Sequence, residues 1–499
     1  MTGEGSKGPS RWLRWPSPGA GLGLVGLVFV LRMALIGAVG LGDDEAYYAL
    51  WARHLDWSYF DHPPGVALLV AASVSALGEG PFAVRLPTLL CGAATVGVLL
   101  RLARRMGTSA TTELALLLVL SPMFAILGVF TAPDMPFLLA LSLALSFAWE
   151  ALEAEDAGAW LPCGISTGIA LLCKYNAVLW LVTLLVLLVS DRRYRRWLLR
   201  PEPYLGLLVA LLIFEPILVW NSHHDWMSFR FHLQGRHGGA LDLPTNLGQF
   251  VGSQLGLLSP LVAVALVLGL RDSLRRARAG AAADRFLLAA ALPPLLLFGL
   301  TSPLTAFKPH WTASGWLPAL LPAARWLSER PRLRLATLGS AGLMSGLVYL
   351  QALWPVLPLG PKADVTNDLY GWPEAGAAVE RALHALPDPD QAYVFGHMYQ
   401  TAAQIALQLP RSVIVTRRGG RADQFDVWRE RLPELAGRDA IFVAHDRYDL
   451  DLVRRPFPGL DCARAEEVPV LRRGEVVRRF QIWSCRATPH PSGSTGPPG

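Results

Sequence analysis

Residues 20–45 read AGLGLVGLVFVLRMALIGAVGLGDDE, an apolar run interrupted by one arginine and ending on three adjacent acids. At 1.5 Å of helical rise per residue, a run of this length covers the roughly 30 Å hydrocarbon core of a bilayer. It is too long for the apolar part of a secretory signal and shows no evident cleavage site. The preceding MTGEGSKGPSRWLRWPSPGA reads as a short basic flank, a cytoplasmic N-terminus over 1–19. The run is therefore expected to be a first membrane span, and the acids mark where the chain leaves the membrane.

The rest of the chain repeats that pattern. Of its 499 residues, 52% are hydrophobic and only 17% charged, against about a quarter charged in a soluble domain. Apolar windows predict about eleven spans, near 20–41, 81–101, 109–130, 135–151, 159–173, 176–190, 203–221, 248–270, 285–302, 310–326 and 333–353. The pair flanking Lys174 is short enough to be bent or tilted. With the N-terminus inside, the inward loops are RLARR from 101, DRRYRRWLLR from 191, RDSLRRARAGAAADR from 271 and RWLSERPRLR from 325. Together with the N-terminal flank they hold about 20 Lys or Arg, whereas the outward loops hold five: Arg53, Lys174, Arg230, Arg236 and Lys308. That bias follows the positive-inside rule and places the region after residue 354 outside the cytoplasm. The net charge of +6 thus reflects topology, and no nucleic-acid partner is expected.

The fold class expected is a polytopic α-helical membrane protein with a small C-terminal extracytoplasmic α/β domain. The membrane part runs over 20–354 and includes a first outer loop, 42–80, whose short apolar stretches are expected to lie along the interface as helices. Its Tyr47, Tyr48, Trp51, Trp57 and Tyr59 suit that depth. From 365 to 487, helical stretches (PEAGAAVERALHAL, MYQTAAQIALQL) alternate with β-like runs (AYVFG, SVIVT, AIFVAHD, VVRRFQIW). The tail, 488–499, is PHPSGSTGPPG-like and expected to be disordered. Five cysteines show no metal-ligand spacing; Cys91, Cys163 and Cys173 read as small core residues. Cys462 and Cys485 fall in the exterior region, where a disulfide is compatible with the compartment but not established by spacing.

The chemistry-capable residues gather in the outward loops. Acids at a membrane surface suggest function because desolvating them is costly. Asp43 is well explained as a helix N-terminal cap, whereas Asp44 and Glu45 favour a site. Asp61 and His62, in Tyr59-Phe60-Asp61-His62-Pro63-Pro64, are held on a backbone stiffened by two prolines. They suit a phosphate, or a divalent metal if Asp225 and His224 of His223-His224-Asp225-Trp226 join Asp61. Asp134, in Ala132-Pro133-Asp134, fits a helix cap or a catalytic acid. Lys174, Arg230 and Lys308 are isolated cations on the disfavoured side, better explained by an anionic ligand than by snorkelling. His54, His232, His237 and His310 read as loop or interface residues. No Walker loop, nucleophile elbow or glycine fingerprint is present, so no nucleotide cofactor is expected.

Taken in order, Asp44-Glu45, YFDHPP, Ala132-Pro133-Asp134, Lys174-Tyr175-Asn176, Trp220-Asn221 with His224-Asp225-Trp226, and Lys308 with His310-Trp311 resemble the GT-C superfamily of membrane glycosyltransferases. The resemblance spans most of 40–320 and is nearest to bacterial relatives of protein O-mannosyltransferases and the lipid A aminoarabinose transferase; Leu369-Tyr370-Gly371-Trp372 also looks like this family. It implies a multi-span inner-membrane enzyme that moves a monosaccharide from a polyprenyl-phosphate donor to an acceptor on a protein, lipid or glycan. Asp44 inherits the role of catalytic acid after the first span, and Asp134 and Asp61 those of the later motifs. One departure stands out: the aminoarabinose transferases carry lysine where this chain has His62, so Lys174, Arg230 or Lys308 would supply the phosphate contact. On that reading Asp44, supported by Glu45 or Asp134, takes the acceptor proton, and cations or a metal stabilise the departing phosphate, with inversion. The rivals are a transporter or flippase of a polyprenyl-linked or amphipathic solute, which would favour mid-bilayer acids and inverted repeats, and a membrane scaffold.

Overall fold

A computed structural model describes residues 18–235, 242–304, 308–411, 413–415, 422–429, 435, 437–447, 457 and 459–488. The expected disorder of the tail and most of the basic N-terminal flank lie outside these residues, as do Arg236 and His237. The chain divides into two compact units.

The first unit, Met1–Ile36, His62–Leu69 and Arg85–Tyr349, is helical. Each apolar window falls on a helix, among them Pro18–Leu35, Pro81–Arg105, Asp134–Glu153, Glu202–His223, Ala282–Thr301 and Pro331–Leu353. Eleven uniform spans do not result. Among the described residues five helices are long and apolar enough to cross a membrane, or six if one bent pair counts as a single span. That pair, Leu243–Leu258 and Pro260–Arg278, turns through 97°. Ser259 sits at the corner with φ +71°, and Pro260 starts the second helix where its missing N–H costs nothing. Ser121 donates to the freed carbonyl of Leu258 at 3.3 Å, the kind of replacement bond that a broken helix in a membrane needs. The window at 109–130 is likewise broken, into Thr111–Leu120 and Pro122–Leu127, ahead of Pro122.

Elsewhere the helices pack through small residues. A Cβ on Gly164 would stand 2.1 Å from the Gly206 carbonyl oxygen, so helices Trp160–Cys173 and Glu202–His223 meet backbone to backbone. Buried charges are compensated: Arg32 donates to the Val119 carbonyl at 2.5 Å, and Arg334 to Glu113 at 2.7 Å.

The second unit, Gly37–Asp61, Val70–Val84 and Leu350–Gly499, is α/β. Strands β1 (Tyr393–Gly396), β2 (Val413–Val415), β3 (Ala440–His445), β4 (Leu460–Arg472) and β5 (Glu475–Ala487) form one sheet in the order β2-β1-β3-β5-β4. β1 runs parallel to β2 and β3, while β3–β5 and β4–β5 are antiparallel. Phe395, Ala440, Phe442, Ala444, Phe457 and Cys485 make its core. Cys462 and Cys485 face each other in register on β4 and β5 and form a disulfide. β4 escaped the sequence reading because it is a largely exposed edge, carrying Arg464, Glu466, Glu467 and Pro469 where a hydrophobic alternation was sought.

The first outer loop also departs from expectation. Its helices exist, Asp43–Arg53 and Gly65–Leu77, but the aromatic residues of the first are core rather than interfacial. Trp51 and Tyr59 are fully buried and stack at 4.2 Å, and Tyr47 is 2% exposed; only Trp57 stays outside. Helix Asp43–Arg53 packs on helix Tyr399–Gln408, so Tyr47 spends its ring on Tyr399 and Phe425.

Candidate functional site

The candidate residues separate by unit, with Asp44, Glu45 and Asp61 in the α/β unit and His62, Asp134, Lys174, His224, Asp225, Arg230 and Lys308 in the helical one.

In the helical unit, Lys174 caps helix Trp160–Cys173 in an extended conformation, followed by a short 3-10 turn over Tyr175–Ala177. That break is the bend expected at this lysine, and it frees the side chain to reach Asp134, the first residue of Asp134–Glu153. Lys174 Nζ lies 2.6 Å from Asp134 Oδ1, with both side chains 5% exposed. His310 Nε2 stands 3.7 Å from Asp134 Oδ2. Asp134, expected as a catalytic acid, and Lys174, expected as a phosphate ligand, therefore neutralise each other. His310, read from sequence as an ordinary loop residue, belongs to the same group. The turn Pro309–Thr312 that carries it is fixed by Gln254, which donates to the Pro309 carbonyl and accepts from Thr312 and Trp316, each at 2.9 Å. Gln254 lies within an expected span, and no sequence signal marked it.

Arg230 and Lys308 are exposed and make no ion pair among the described residues. His62 is buried, its ring 5.9 Å from that of His232, which also packs on Tyr175. Tyr175 and Ser228 share a hydrogen bond of 2.9 Å.

The expected metal set of Asp61, His224 and Asp225 is not supported. Among the described residues no three His, Cys, Asp or Glu side chains gather in a way that could hold an ion. His224 is engaged locally: its Nδ1 lies 2.8 Å from the Trp220 carbonyl and its ring stacks on Trp220 at 4.0 Å. Asp225 and Trp226 take left-handed φ values of 51° and 57° to end the helix, which leaves Asp225 exposed. Its position follows from the turn. Among the described residues these donors do not gather into a metal site.

In the α/β unit, Asp44 is the exposed member of the acidic triplet. The Tyr399 hydroxyl donates to its Oδ1 at 3.1 Å. Glu45 is 3% exposed, and its Oε2 accepts from the Gly42 amide at 2.8 Å, a capping-box bond at the start of its own helix. Asp61 is buried and accepts from the Tyr47 hydroxyl at 3.0 Å. Tyr47 in turn accepts from the Gln424 amide at 2.7 Å, and the Gln424 side chain accepts from the Phe60 amide at 2.7 Å. The Gln404 side chain holds the Leu41 carbonyl at 2.7 Å. The C-terminal domain thus fixes both Asp44 and Asp61 through Tyr399 and Gln424, residues more than 350 positions away. Asp43 is pushed up to about 7, chiefly by burial and then by Asp368, with Arg478 and Arg447 opposing.

The model of the dolichyl-phosphate-mannose-protein mannosyltransferase family matches residues 61–220. The lipid A galacturonosyltransferase RgtD of Rhizobium johnstonii is 26% identical over 372 residues, 71% of this chain and 75% of that one. The undecaprenyl phosphate-alpha-4-amino-4-deoxy-L-arabinose arabinosyl transferase of Pseudomonas paraeruginosa is 31% identical over 209 residues, 38% of each chain. In fold, the chain is similar to apo ArnT from Cupriavidus metallidurans, with a TM-score of 0.66, 18% identity and coverage of 94% of this chain and 98% of that one. The same protein bound to undecaprenyl phosphate gives a TM-score of 0.64. In the order of its motifs and in its helical fold, this chain is similar to these membrane sugar transferases.

Proposed function

We propose that the protein transfers a monosaccharide from a polyprenyl-phosphate donor to an acceptor hydroxyl on the outer face of the inner membrane, with Asp44 as the base. The observation that carries the base assignment is the state of Asp44. It is exposed, yet its carboxylate is fixed by a phenol from a distant part of the chain, whereas its neighbour Glu45 is spent on a cap. A free hydroxyl is a weak nucleophile, so a carboxylate within hydrogen-bond reach accepts its proton as the oxygen attacks the anomeric carbon. The bond from that carbon to the phosphate oxygen breaks, and the electron pair leaves with the polyprenyl phosphate. A single displacement inverts the anomeric centre.

The leaving group gains charge, and a guanidinium or ammonium stabilises it. Lys174 is balanced by Asp134, so Arg230 and Lys308, which carry no internal counter-ion among the described residues, are assigned to the donor phosphate. The names of the relatives support undecaprenyl phosphate as the carrier and lipid A as the acceptor. The Cys462–Cys485 disulfide supports an oxidising compartment for the C-terminal domain, hence an outer location with the N-terminus inside. Nothing in the relatives' activities favours the transporter reading.

The test is transfer from a polyprenyl-phosphate sugar by purified protein. Asp44→Asn is expected to lower turnover by about 10²–10⁴-fold, the usual worth of a general base, while expression and folding persist. Full turnover by that variant would remove Asp44 from the role.

A further inference from the structure

A second polar cluster in the α/β unit lies where the sheet changes direction. From β1 the chain passes through helix Tyr399–Gln408 to β2 on one side, and then through helix Gln424–Arg429 to β3 on the other. The β1–β3 junction is therefore a topological switch point, the place at which open α/β sheets generally bind their ligands. His397 follows β1 directly, and His445, Asp446 and Arg447 come at the end of β3. The two histidine rings are 5.7 Å apart, and Arg478 of β5 lies over Trp372 and Phe480 beside them.

Among the described residues Arg447 and Arg478 both pair with Asp368, so two guanidinium groups share that carboxylate. Arg478 is almost completely buried, with a side chain 2% exposed. Its Nη2 is taken by Asp368, but its Nη1 is buried with no hydrogen-bond partner among the described residues. A buried guanidinium nitrogen without an acceptor is costly and calls for one. Asp43 does not supply a full second counter-charge near neutrality, because burial and Asp368 push it up to about 7. Burial holds His397 down at about 4, against a hydrogen bond with the Val443 backbone, and burial and Arg478 push His445 well below its ordinary value, so neither ring adds positive charge at pH 7. The first turn of the ten-residue helix Tyr399–Gln408, which follows β1, adds the positive end of a helix dipole.

We propose that the carboxyl ends of β1 and β3 form an oxyanion subsite, in which Arg447, Arg478 and His397 hold a phosphate group carried by the acceptor. Tyr399, which binds Asp44, starts the helix that begins there, so an acceptor anchored by its phosphate is kept next to the candidate base. The inference rests on the transferase reading for its acceptor, but the phosphate contact is measurable without turnover. Arg447 is the residue to vary, since its side chain is 24% exposed whereas that of Arg478 is core.

Full-length protein in nanodiscs is titrated calorimetrically at pH 7 with glucose 1-phosphate, glucose and inorganic phosphate. The expected result is binding of glucose 1-phosphate and no measurable binding of glucose. Arg447→Gln should weaken glucose 1-phosphate at least tenfold, and Arg447→Lys, which keeps the charge and controls for folding, should stay within about threefold of wild type. Equal binding of glucose and glucose 1-phosphate, or an unaffected Arg447→Gln, overturns the subsite. Binding of inorganic phosphate but not of glucose 1-phosphate overturns its assignment to an acceptor. Transfer assays run alongside separate the two readings. Sugar transfer without phosphate binding removes the subsite alone, and phosphate binding governed by Arg447 without transfer to any acceptor removes the transferase reading alone.

Discussion

Breaking the Asp134–Lys174 pair tests whether the helical unit treats it as a buried ion pair. Lys174→Met removes the ammonium while keeping most of the side-chain volume. At 2.6 Å and an effective dielectric constant of about 20, two unit charges attract by about 6 kcal/mol. Desolvating both ions costs several kcal/mol each, so the intact pair contributes little net stability. The asymmetry lies in the single variant. Asp134 would remain 4% exposed without the ammonium group at 2.6 Å, and removing one partner of a buried ion pair costs about 3–5 kcal/mol. Asp134→Asn removes the other partner of the pair. The double variant Asp134→Asn/Lys174→Met strands neither, so it should unfold within about 1 kcal/mol of wild type. Reversible unfolding of the four proteins in mixed micelles, titrated with SDS, gives the coupling energy. A Lys174→Met protein that unfolds with wild type, or a double variant no more stable than the singles, would refute the reasoning.

Three further outcomes follow from individual contacts. Glu45→Gln preserves the capping box and should keep turnover near wild type, whereas Glu45→Ala should cost about 1 kcal/mol of stability, read by the same titration; a large loss of turnover in Glu45→Gln would return Glu45 to the catalytic set. Asp43 has its folded pKa raised to about 7, so the folded state holds more protons than the unfolded one between about pH 4 and 7 and loses stability as pH rises through that window. Asp43→Asn should remove this loss, so its advantage over wild type should grow from pH 5 to pH 8. Cys462 and Cys485 close a loop of 23 residues, and Cys462→Ser should cost about 2–4 kcal/mol. In intact cells the two thiols should accept an impermeant maleimide only after reduction, a result that would also fix the C-terminal domain outside.

Much of the molecule was legible from one dimension. Hydropathy located the long apolar helices of the membrane part because the bilayer imposes one demand, apolar side chains over a fixed length, and that demand is written locally. It did not reveal the 97° corner at Ser259, since the freed carbonyl of Leu258 is satisfied by Ser121, a residue 137 positions away. The two main helices and four of the five strands of the α/β domain were readable from periodicity, while β4 hid behind the charges an exposed edge requires. The interfacial reading of Tyr47, Tyr48, Trp51 and Tyr59 failed because an amphipathic aromatic suits a membrane surface and a protein core equally well. Only the helix that arrives from residues 399–408 decides between them.

By itself the sequence determined composition-level properties: membrane residence, the alternation of basic and acidic loops, and which residue types were on offer for chemistry. Tertiary structure alone decided how those residues are used. It paired Asp134 with Lys174 and set Asp44 under the phenol of Tyr399. A side chain's charge and size are fixed by its identity, but its partner is fixed by distance in space. Contacts between residues 40 to 355 positions apart leave no trace in any local window.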